Sequence, residues 1–124
     1  MSYQIEFEER SAYLFARVTG EDSSDTVLRY MEDILRECEK TGCPRVLIHE
    51  CLEGPRLSFL ELFDLLSEGS RRAIGKFRAV ALVDEKMGDT AEFAEDVAVN
   101  RGLPMRVFDD VETASQWISE KSAE

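Results

Sequence analysis

The pattern of hydrophobic and polar residues predicts several short strands. Near the N-terminus, Gln4-Ile5-Glu6-Phe7 alternates polar and apolar residues, which is typical of a half-buried strand. A second strand, Ala12–Val18, is expected to end at Thr19-Gly20 and to form a hairpin with the first. The runs Val46-Leu47-Ile48 and Phe77–Val83 are apolar or nearly so, which predicts strands that are covered on both faces of a sheet.

Helices with recognisable ends alternate with these strands. Ser23 or Ser24 can cap a first helix, whose apolar residues recur every three or four positions until Gly42 and Pro44 end it. Ser58-Phe-Leu-Glu61 matches a capping box and begins a second helix that reaches about Gly69. The remaining elements are a helix over 89–101, a strand over 105–108, and a last helix capped by Asp109 or Asp110.

The resulting order, ββαβαβαβα, predicts an α/β fold. We expect residues 1–124 to form one domain with a mixed, mainly parallel five-stranded sheet and four helices distributed over both faces. Binding sites in such sheets lie beyond the carboxyl ends of the strands. Those ends carry His49 and Glu50, Asp84 and Glu85, and Asp109 and Asp110.

Composition and charge exclude several classes of partner. The chain has 124 residues, 44% hydrophobic and 33% charged, which indicates a globular protein. Its net charge of −11 opposes binding to nucleic acid or to an anionic membrane surface. No apolar run is long enough for membrane insertion, and the N-terminus lacks the features of a signal peptide. We therefore predict a cytoplasmic protein.

The cysteines and the single histidine raise two chemical possibilities. Cys38, Cys43, His49 and Cys51 have spacings that fit no common zinc finger, and Cys38 lies on the apolar face of the first helix, so no metal or other cofactor is predicted. A Cys51–His49 nucleophile pair is conceivable if the strand extends that far, although its end is expected near Glu50. We favour a non-catalytic histidine, because nothing nearby would orient it. The acids at the strand ends are expected to form turns and helix caps rather than a catalytic site.

The second helix has an unusually wide apolar surface. Its apolar arc covers roughly 220°, whereas a core-facing helix needs only about 100°. The residues that form it are Phe59, Leu60, Leu62, Phe63, Leu65 and Leu66. Either the helix is deeply covered, or one flank contacts a partner chain or an apolar ligand.

The order of elements resembles the SpoIIAA-like family of STAS-type domains. The segments that carry the resemblance are Arg45–Ile48, Phe77–Asp84 and the strand-cap-helix ending Met105–Ile118, and the similarity extends over nearly the whole chain. It implies a cytosolic, non-enzymatic domain. Relatives that act as anti-sigma-factor antagonists bind a kinase, which phosphorylates a serine in an Asp-Ser-x-Gly motif. Ser58 matches that position, but it follows Leu57 and lacks the flanking Asp and Gly. The broader group also resembles lipid-binding CRAL-TRIO-type folds.

Together these observations predict a protein-interaction or regulatory module. A homodimer is one predicted assembly of the chain. Its working surface is expected to comprise the loop after the third strand and the following helix: His49, Glu50, Arg56, Ser58, Phe59, Leu60 and Phe63, with Ser58 as a candidate phosphoacceptor. The alternative is a carrier of a small apolar ligand or lipid in a pocket lined by Phe59, Leu60, Phe63 and Leu66. An enzyme that uses His49 and Cys51 is the third hypothesis.

Overall fold

The computed structural model describes residues 3–55 and 57–121. Strands and helices follow the predicted order, with bounds β1 Tyr3–Glu9, β2 Leu14–Glu21, α1 Ser24–Thr41, β3 Arg45–Glu53, α2 Phe59–Ala73, β4 Ala79–Val83, α3 Thr90–Asn100, β5 Met105–Phe108 and α4 Val111–Lys121. Among these residues, no helix combines the length and apolarity needed to cross a membrane.

The five strands lie in the sheet in chain order, β1-β2-β3-β4-β5. β1 pairs with β2 in an antiparallel hairpin, and every later pair is parallel. This arrangement confirms the predicted mixed, mainly parallel sheet. Parallel neighbours need a crossover, and α1, α2 and α3 supply the three crossovers between β2 and β5.

Helices cover the two faces of the sheet unequally. Side chains of α1, α2 and α3 pack with Leu14, Val46, Ile48, Val80 and Leu82 into the larger core. On the opposite face, α4 packs Ala114 and Ile118 against other strand residues, among them Leu47, Ala81 and Val83. The alternation along β3 therefore sends successive side chains into different cores.

The predicted caps of α1 and α2 are present. Ser23 accepts a hydrogen bond from the backbone of Thr26, and Gly42 ends α1 in the left-handed conformation at φ 74°. Ser58 Oγ accepts from the Glu61 amide at 3.2 Å, and the Glu61 carboxylate accepts from the Ser58 amide at 2.9 Å. These bonds satisfy amides at the start of α2 that have no partner within the helix.

Two predicted strand ends are wrong. β2 continues through Gly20 to Glu21, and β3 continues through Glu50 to Glu53. The two extensions pair with each other in register, from Val18 with Glu50 to Glu21 with Glu53. Each segment is too polar to indicate a strand by itself, so pairing with its neighbour decides its conformation.

We expect Ser58→Ala to lower the free energy of unfolding by about 1 kcal/mol, because the amide of Glu61 loses its acceptor. Ser58→Asp should retain most of the stability, since its carboxylate can accept the same bond and lies near the positive end of the helix dipole. Urea denaturation of the three proteins measures the difference. Equal losses in both variants would contradict the capping role.

Candidate functional site

A cleft opens at the carboxyl end of the sheet because β3 is longer than β4. The pairing between these strands stops at His49 with Val83, whereas β3 runs four residues further beside β2. The space next to this extension has a volume of ≈ 330 Å³. Its walls are the last residues of β2, the end of β3 and the turn after β4: Thr19, Gly20, His49–Glu53 and Asp84–Lys86.

A second space, a cavity of ≈ 90 Å³, lies between the sheet and helices α1, α2 and α3. Most of its lining is aliphatic or aromatic, including Ile34, Ile48, Leu62, Leu66 and Leu82. Its acidic and phenolic lining residues are Asp22, Tyr30, Glu50 and Asp84, and no Lys, Arg or His is among the lining residues that the structure describes. An apolar cavity with a few convergent polar groups is the usual form of a small-molecule site.

Glu50 and Asp84 border both the cavity and the cleft. Glu50 leaves β3 on the side of α1–α3, where the hydroxyl of the buried Tyr30 donates a short hydrogen bond to Glu50 Oε2. The carboxyl group of Asp84 lies near enough to that of Glu50 to form a second hydrogen bond. Two carboxyl groups can share such a bond only if one of them carries a proton. We name Tyr30, Glu50 and Asp84 the carboxyl cluster.

The surroundings of Glu50 favour its protonated form. Burial is the main cause that raises the pKa of Glu50 well above its ordinary value, and the hydrogen bond and negative charge of Asp84 raise it further. The hydrogen bond from Tyr30 opposes this shift. Burial and the nearby Glu50 also raise the pKa of Tyr30, so that its hydroxyl stays a donor.

The turn after β4 holds Asp84 in place. Asp84 Oδ1 accepts a hydrogen bond from the Lys86 amide at 2.8 Å, and the Asp84 amide donates to Phe108 at 3.1 Å. Lys86 Nζ reaches the carbonyl of Leu52 at 3.3 Å and so ties this turn to the end of β3. The predicted turn is therefore present, and it fixes one carboxylate beside the other.

His49 and Cys51 lie on the other face of β3 from Glu50. β3 extends to Glu53 and does not end near Glu50 as predicted, so the side chains of His49 and Cys51 share one face of the strand. Both residues line the cleft. His49 packs edge-on against Phe15 with 6.5 Å between ring centroids. Burial and the charge of Arg17 lower the pKa of His49. A nucleophile pair needs a hydrogen bond between its base and its nucleophile. Within the described residues, no such bond joins His49 to Cys51.

The three cysteines are placed apart in the fold. Cys38 belongs to the larger core, where burial raises its pKa to about 12 and makes the thiol unreactive. Cys43 donates to the carbonyl of Arg45 at 3.3 Å, and Cys51 lines the cleft. In the part of the chain that the structure describes, no three Cys, His, Asp or Glu residues are grouped closely enough to hold a metal ion.

Helix α2 divides its apolar residues between two sides. Leu62, Leu65 and Leu66 are buried and line the cavity, whereas Phe59, Leu60 and Phe63 are 55%, 70% and 37% exposed. The predicted ligand pocket is therefore wrong in three of its four residues, because only Leu66 faces the cavity. Of the two interpretations of the wide apolar arc, deep burial of all six residues does not hold, because Phe59, Leu60 and Phe63 are exposed.

The residues of the predicted working surface occupy separate places. Glu50 lies in the carboxyl cluster, His49 lies on the opposite face of the sheet, and Leu60 and Phe63 lie on the outer side of α2. Ser58 caps α2 and is exposed, and its role as a phosphoacceptor stays a prediction. Arg56 lies outside the described residues.

Sequence reasoning missed Tyr30 and Asp22 as site residues. Tyr30 follows Val27 by three positions and precedes Ile34 by four, so the helical period already placed it on the buried face of α1. Asp22 follows β2 directly, but the predicted end of that strand at Thr19-Gly20 left it in a connecting segment. Both lie beside Glu50 once the strands have their true lengths.

The raised pKa of Glu50 predicts a specific pH dependence of stability. Above the unfolded-state pKa, about 4.3, the folded chain retains a proton that the unfolded chain has lost. The free energy of unfolding should then fall as pH rises, by up to about 1.4 kcal/mol per pH unit for this one group. In Glu50→Gln, the amide can accept from Tyr30 and donate to Asp84 without a titrating proton, so this decline should disappear.

Chemical denaturation of both proteins between pH 5 and pH 8 measures the effect. Taking the difference between wild type and Glu50→Gln cancels contributions of other groups, including His49, whose lowered pKa acts with the opposite sign. Parallel stability curves for the two proteins would contradict the protonated state of Glu50.

Comparison with known proteins identifies similarity to a solved structure but not to a sequence family. No protein-family model matches the chain, and no curated protein sequence matches it. Among solved structures, it is similar to an uncharacterized protein of the DUF3478 family with a SpoIIAA-like fold from Shewanella loihica PV-4. The two are 25% identical, with a TM-score of 0.57, and the match covers 94% of this chain and 93% of the other. The chain therefore has a SpoIIAA-like fold, as its sequence resemblance indicated.

Proposed function

We propose that the chain is a non-enzymatic protein-interaction module that binds its partner with the outer side of α2. The observation that carries this proposal is the exposure of Phe59, Leu60 and Phe63 on one helix, with Leu60 70% exposed. We name these three residues the outer ridge. The SpoIIAA-like fold supports the proposal, since this fold suggests a regulatory or interaction role for the chain.

The outer ridge is ordered by contacts with α3 and the residue after it. The ring of Phe59 packs edge-to-face on Phe93 with 5.1 Å between centroids, and the guanidinium of Arg101 lies 4.7 Å from the centre of the Phe63 ring. A surface whose aromatic side chains are already held loses less conformational entropy when a partner covers it. Large apolar groups grouped in this way are typical of interaction sites.

The charges beside the outer ridge favour a basic partner. Glu61 and Asp64 are exposed on α2, and Glu92 and Asp96 are exposed on α3 next to Phe93, so these carboxylates outnumber the guanidinium of Arg101 on Phe63. The whole chain carries a net charge of −11, so a second copy would bring two strongly negative surfaces together. A helix with an apolar stripe and a lysine-rich or arginine-rich remainder satisfies both the ridge and its acidic surroundings. We therefore assign the ridge to a basic amphipathic helix of another protein rather than to a homodimer.

A second candidate function, binding of a small ligand, is favoured by the cavity beneath α2. It is compatible with the first, because the cavity and the outer ridge lie on opposite sides of the same helix.

We expect Leu60→Glu to weaken binding of a basic amphipathic helix at least tenfold, since it places a carboxylate where an apolar side chain must be covered. The probe is a fluorescent 14-residue peptide with Leu at helical spacing and Lys elsewhere, measured by fluorescence anisotropy. Because Leu60 is mostly exposed, the variant should unfold at the same temperature as wild type.

Ile74→Glu is the matched control, since Ile74 is 60% exposed and lies at the far end of α2. It makes the same change of charge and should weaken binding much less. Three results would overturn the proposal: equal losses in both variants, preference for a peptide with Glu in place of Lys, or binding of phospholipid vesicles but not of peptide. A homodimer in sedimentation that Leu60→Glu dissociates would instead assign the ridge to a second copy.

A further inference from the structure

The side chains of the larger core enclose a cavity that exceeds what close packing usually leaves. It has a volume of ≈ 90 Å³ between the sheet and helices α1–α3, whereas protein cores contain few voids larger than one water molecule. At roughly 10–15 Å³ for each water-sized sphere, it takes on the order of six to nine such spheres. This corresponds to one small ring or a short alkyl chain, and it is too small for a full-length fatty acyl chain.

Most of the wall of the cavity is hydrocarbon. Ile34 on α1, Leu62 and Leu66 on α2, and Leu82 on β4 are buried residues that line the cavity and not the cleft. A ligand that covers these side chains with apolar groups removes its own apolar surface from water, which favours binding. A charged group in the same place would lose its hydration without a partner. The main part of a ligand is therefore apolar.

The polar end of the cavity offers hydrogen-bond acceptors. The hydroxyl of Tyr30 already donates to Glu50, and Asp84 Oδ1 accepts from the Lys86 amide at 2.8 Å. The proton of Glu50 serves the hydrogen bond with Asp84. Carboxyl and phenol oxygens keep lone pairs beyond these bonds. A ligand hydroxyl group therefore finds an acceptor here, whereas the donors of the carboxyl cluster are engaged and leave a ligand carbonyl group without a partner there.

Charged groups fit this end less well than a neutral hydroxyl. Burial, the main cause of the raised pKa of Glu50, keeps this carboxyl group protonated, so Glu50 offers an ammonium group no negative charge. The ammonium would also lose its hydration on entering the cavity. No Lys, Arg or His lines the cavity in the part of the chain that the structure describes, so a ligand carboxylate would meet acidic residues without a compensating cation.

We propose that the cavity binds a small neutral alcohol or phenol, with its hydroxyl group on the carboxyl cluster and its apolar part beneath α2. The size of the cavity, its hydrocarbon wall and the acceptors at one end together determine this class of ligand. The inference rests on the second candidate function, binding of a small ligand, and adds the chemistry of that ligand. It does not depend on the outer ridge.

NMR titration of the full chain at pH 7, followed on its methyl signals, tests the proposal with three probes that share one ring: cyclohexanol, cyclohexanone and cyclohexylammonium. We expect cyclohexanol to bind at least threefold more tightly than cyclohexanone, because only the alcohol donates a hydrogen bond. It should bind at least tenfold more tightly than cyclohexylammonium, because the ammonium group must be desolvated.

The outcomes distinguish the class of ligand from the existence of the site. A smaller preference for the alcohol over either other probe, or tighter binding of the ketone or the ammonium, would overturn the proposed class while small-molecule binding in the cavity stands. If no probe shifts the methyl signals of Leu62 and Leu66, both the class and the second candidate function are overturned.

Two matched substitutions on α3 locate the binding. Ala94 is 1% exposed and lines the cavity, whereas Ala91 is half-buried and does not line it. Ala94→Leu extends a side chain into the cavity and should weaken cyclohexanol at least tenfold, while Ala91→Leu should change its affinity less than about twofold. Equal effects would overturn the cavity as the site. If Ala94→Leu does not fold, the methyl signals that cyclohexanol shifts in wild type decide the location: Leu62 and Leu66 for the cavity, Leu60 against it.

Leu60→Glu distinguishes this inference from the proposed interaction surface. Leu60 lies on the outer side of α2 and does not line the cavity, so this variant should keep the cyclohexanol affinity of wild type. Loss of cyclohexanol binding in Leu60→Glu would place the alcohol on the outer ridge and overturn the cavity site.

Discussion

The constraint that organises this protein is the placement of one half-buried glutamate at the end of a parallel strand. Glu50 continues the face of β3 that carries Val46 and Ile48 and therefore extends toward α1–α3 rather than toward solvent. A carboxylate in such surroundings is costly unless it is paired or protonated. The hydroxyl of Tyr30 and the carboxyl of Asp84 provide its hydrogen bonds, and they require α1 and the turn after β4 to meet at this point. The cavity and the cleft share these two carboxyl groups, which therefore lie where the two spaces meet.

The topology of the sheet also determines which side of α2 is buried. Strands that follow one another across the sheet bring α1, α2 and α3 onto one face, with α2 in contact with both other helices. Leu62, Leu65 and Leu66 complete the core and cover the cavity, and nothing in the described chain covers Leu60 on the other side. The apolar arc of α2 therefore has a buried part, which contributes to the core, and an exposed part, which comprises Phe59, Leu60 and Phe63. The exposed arc is the surface that we propose for a partner, and a ligand in the cavity would lie directly beneath the same helix.

The sequence predicts the fold closely and the site poorly, for identifiable reasons. Local signals such as the Ser58 capping box and the Gly42 cap determine the helix ends, and apolar runs determine the buried strands. The extension of β3 to Glu53 could not be predicted from its polar residues, because pairing with β2 creates it. Because of that error, the contact of Glu50 with Tyr30 and Asp84 was not predicted. Tyr30 and Asp84 are 20 and 34 positions away from Glu50 in the sequence. The width of the apolar arc on α2 was visible in the sequence, but the side that faces the sheet was not.

Direct observation of the Glu50 carboxyl group tests whether it keeps its proton at neutral pH. Carbon-13 NMR of the glutamate side-chain carboxyl carbons, recorded from pH 3 to pH 9 and assigned with Glu50→Gln, follows the protonation of this group alone. We expect the Glu50 signal to titrate well above the ordinary glutamate range. Tyr30→Phe should raise the midpoint further, because the hydrogen bond from Tyr30 favours the charged form. A Glu50 signal that titrates with the exposed glutamates would contradict the sharing of a proton within the carboxyl cluster.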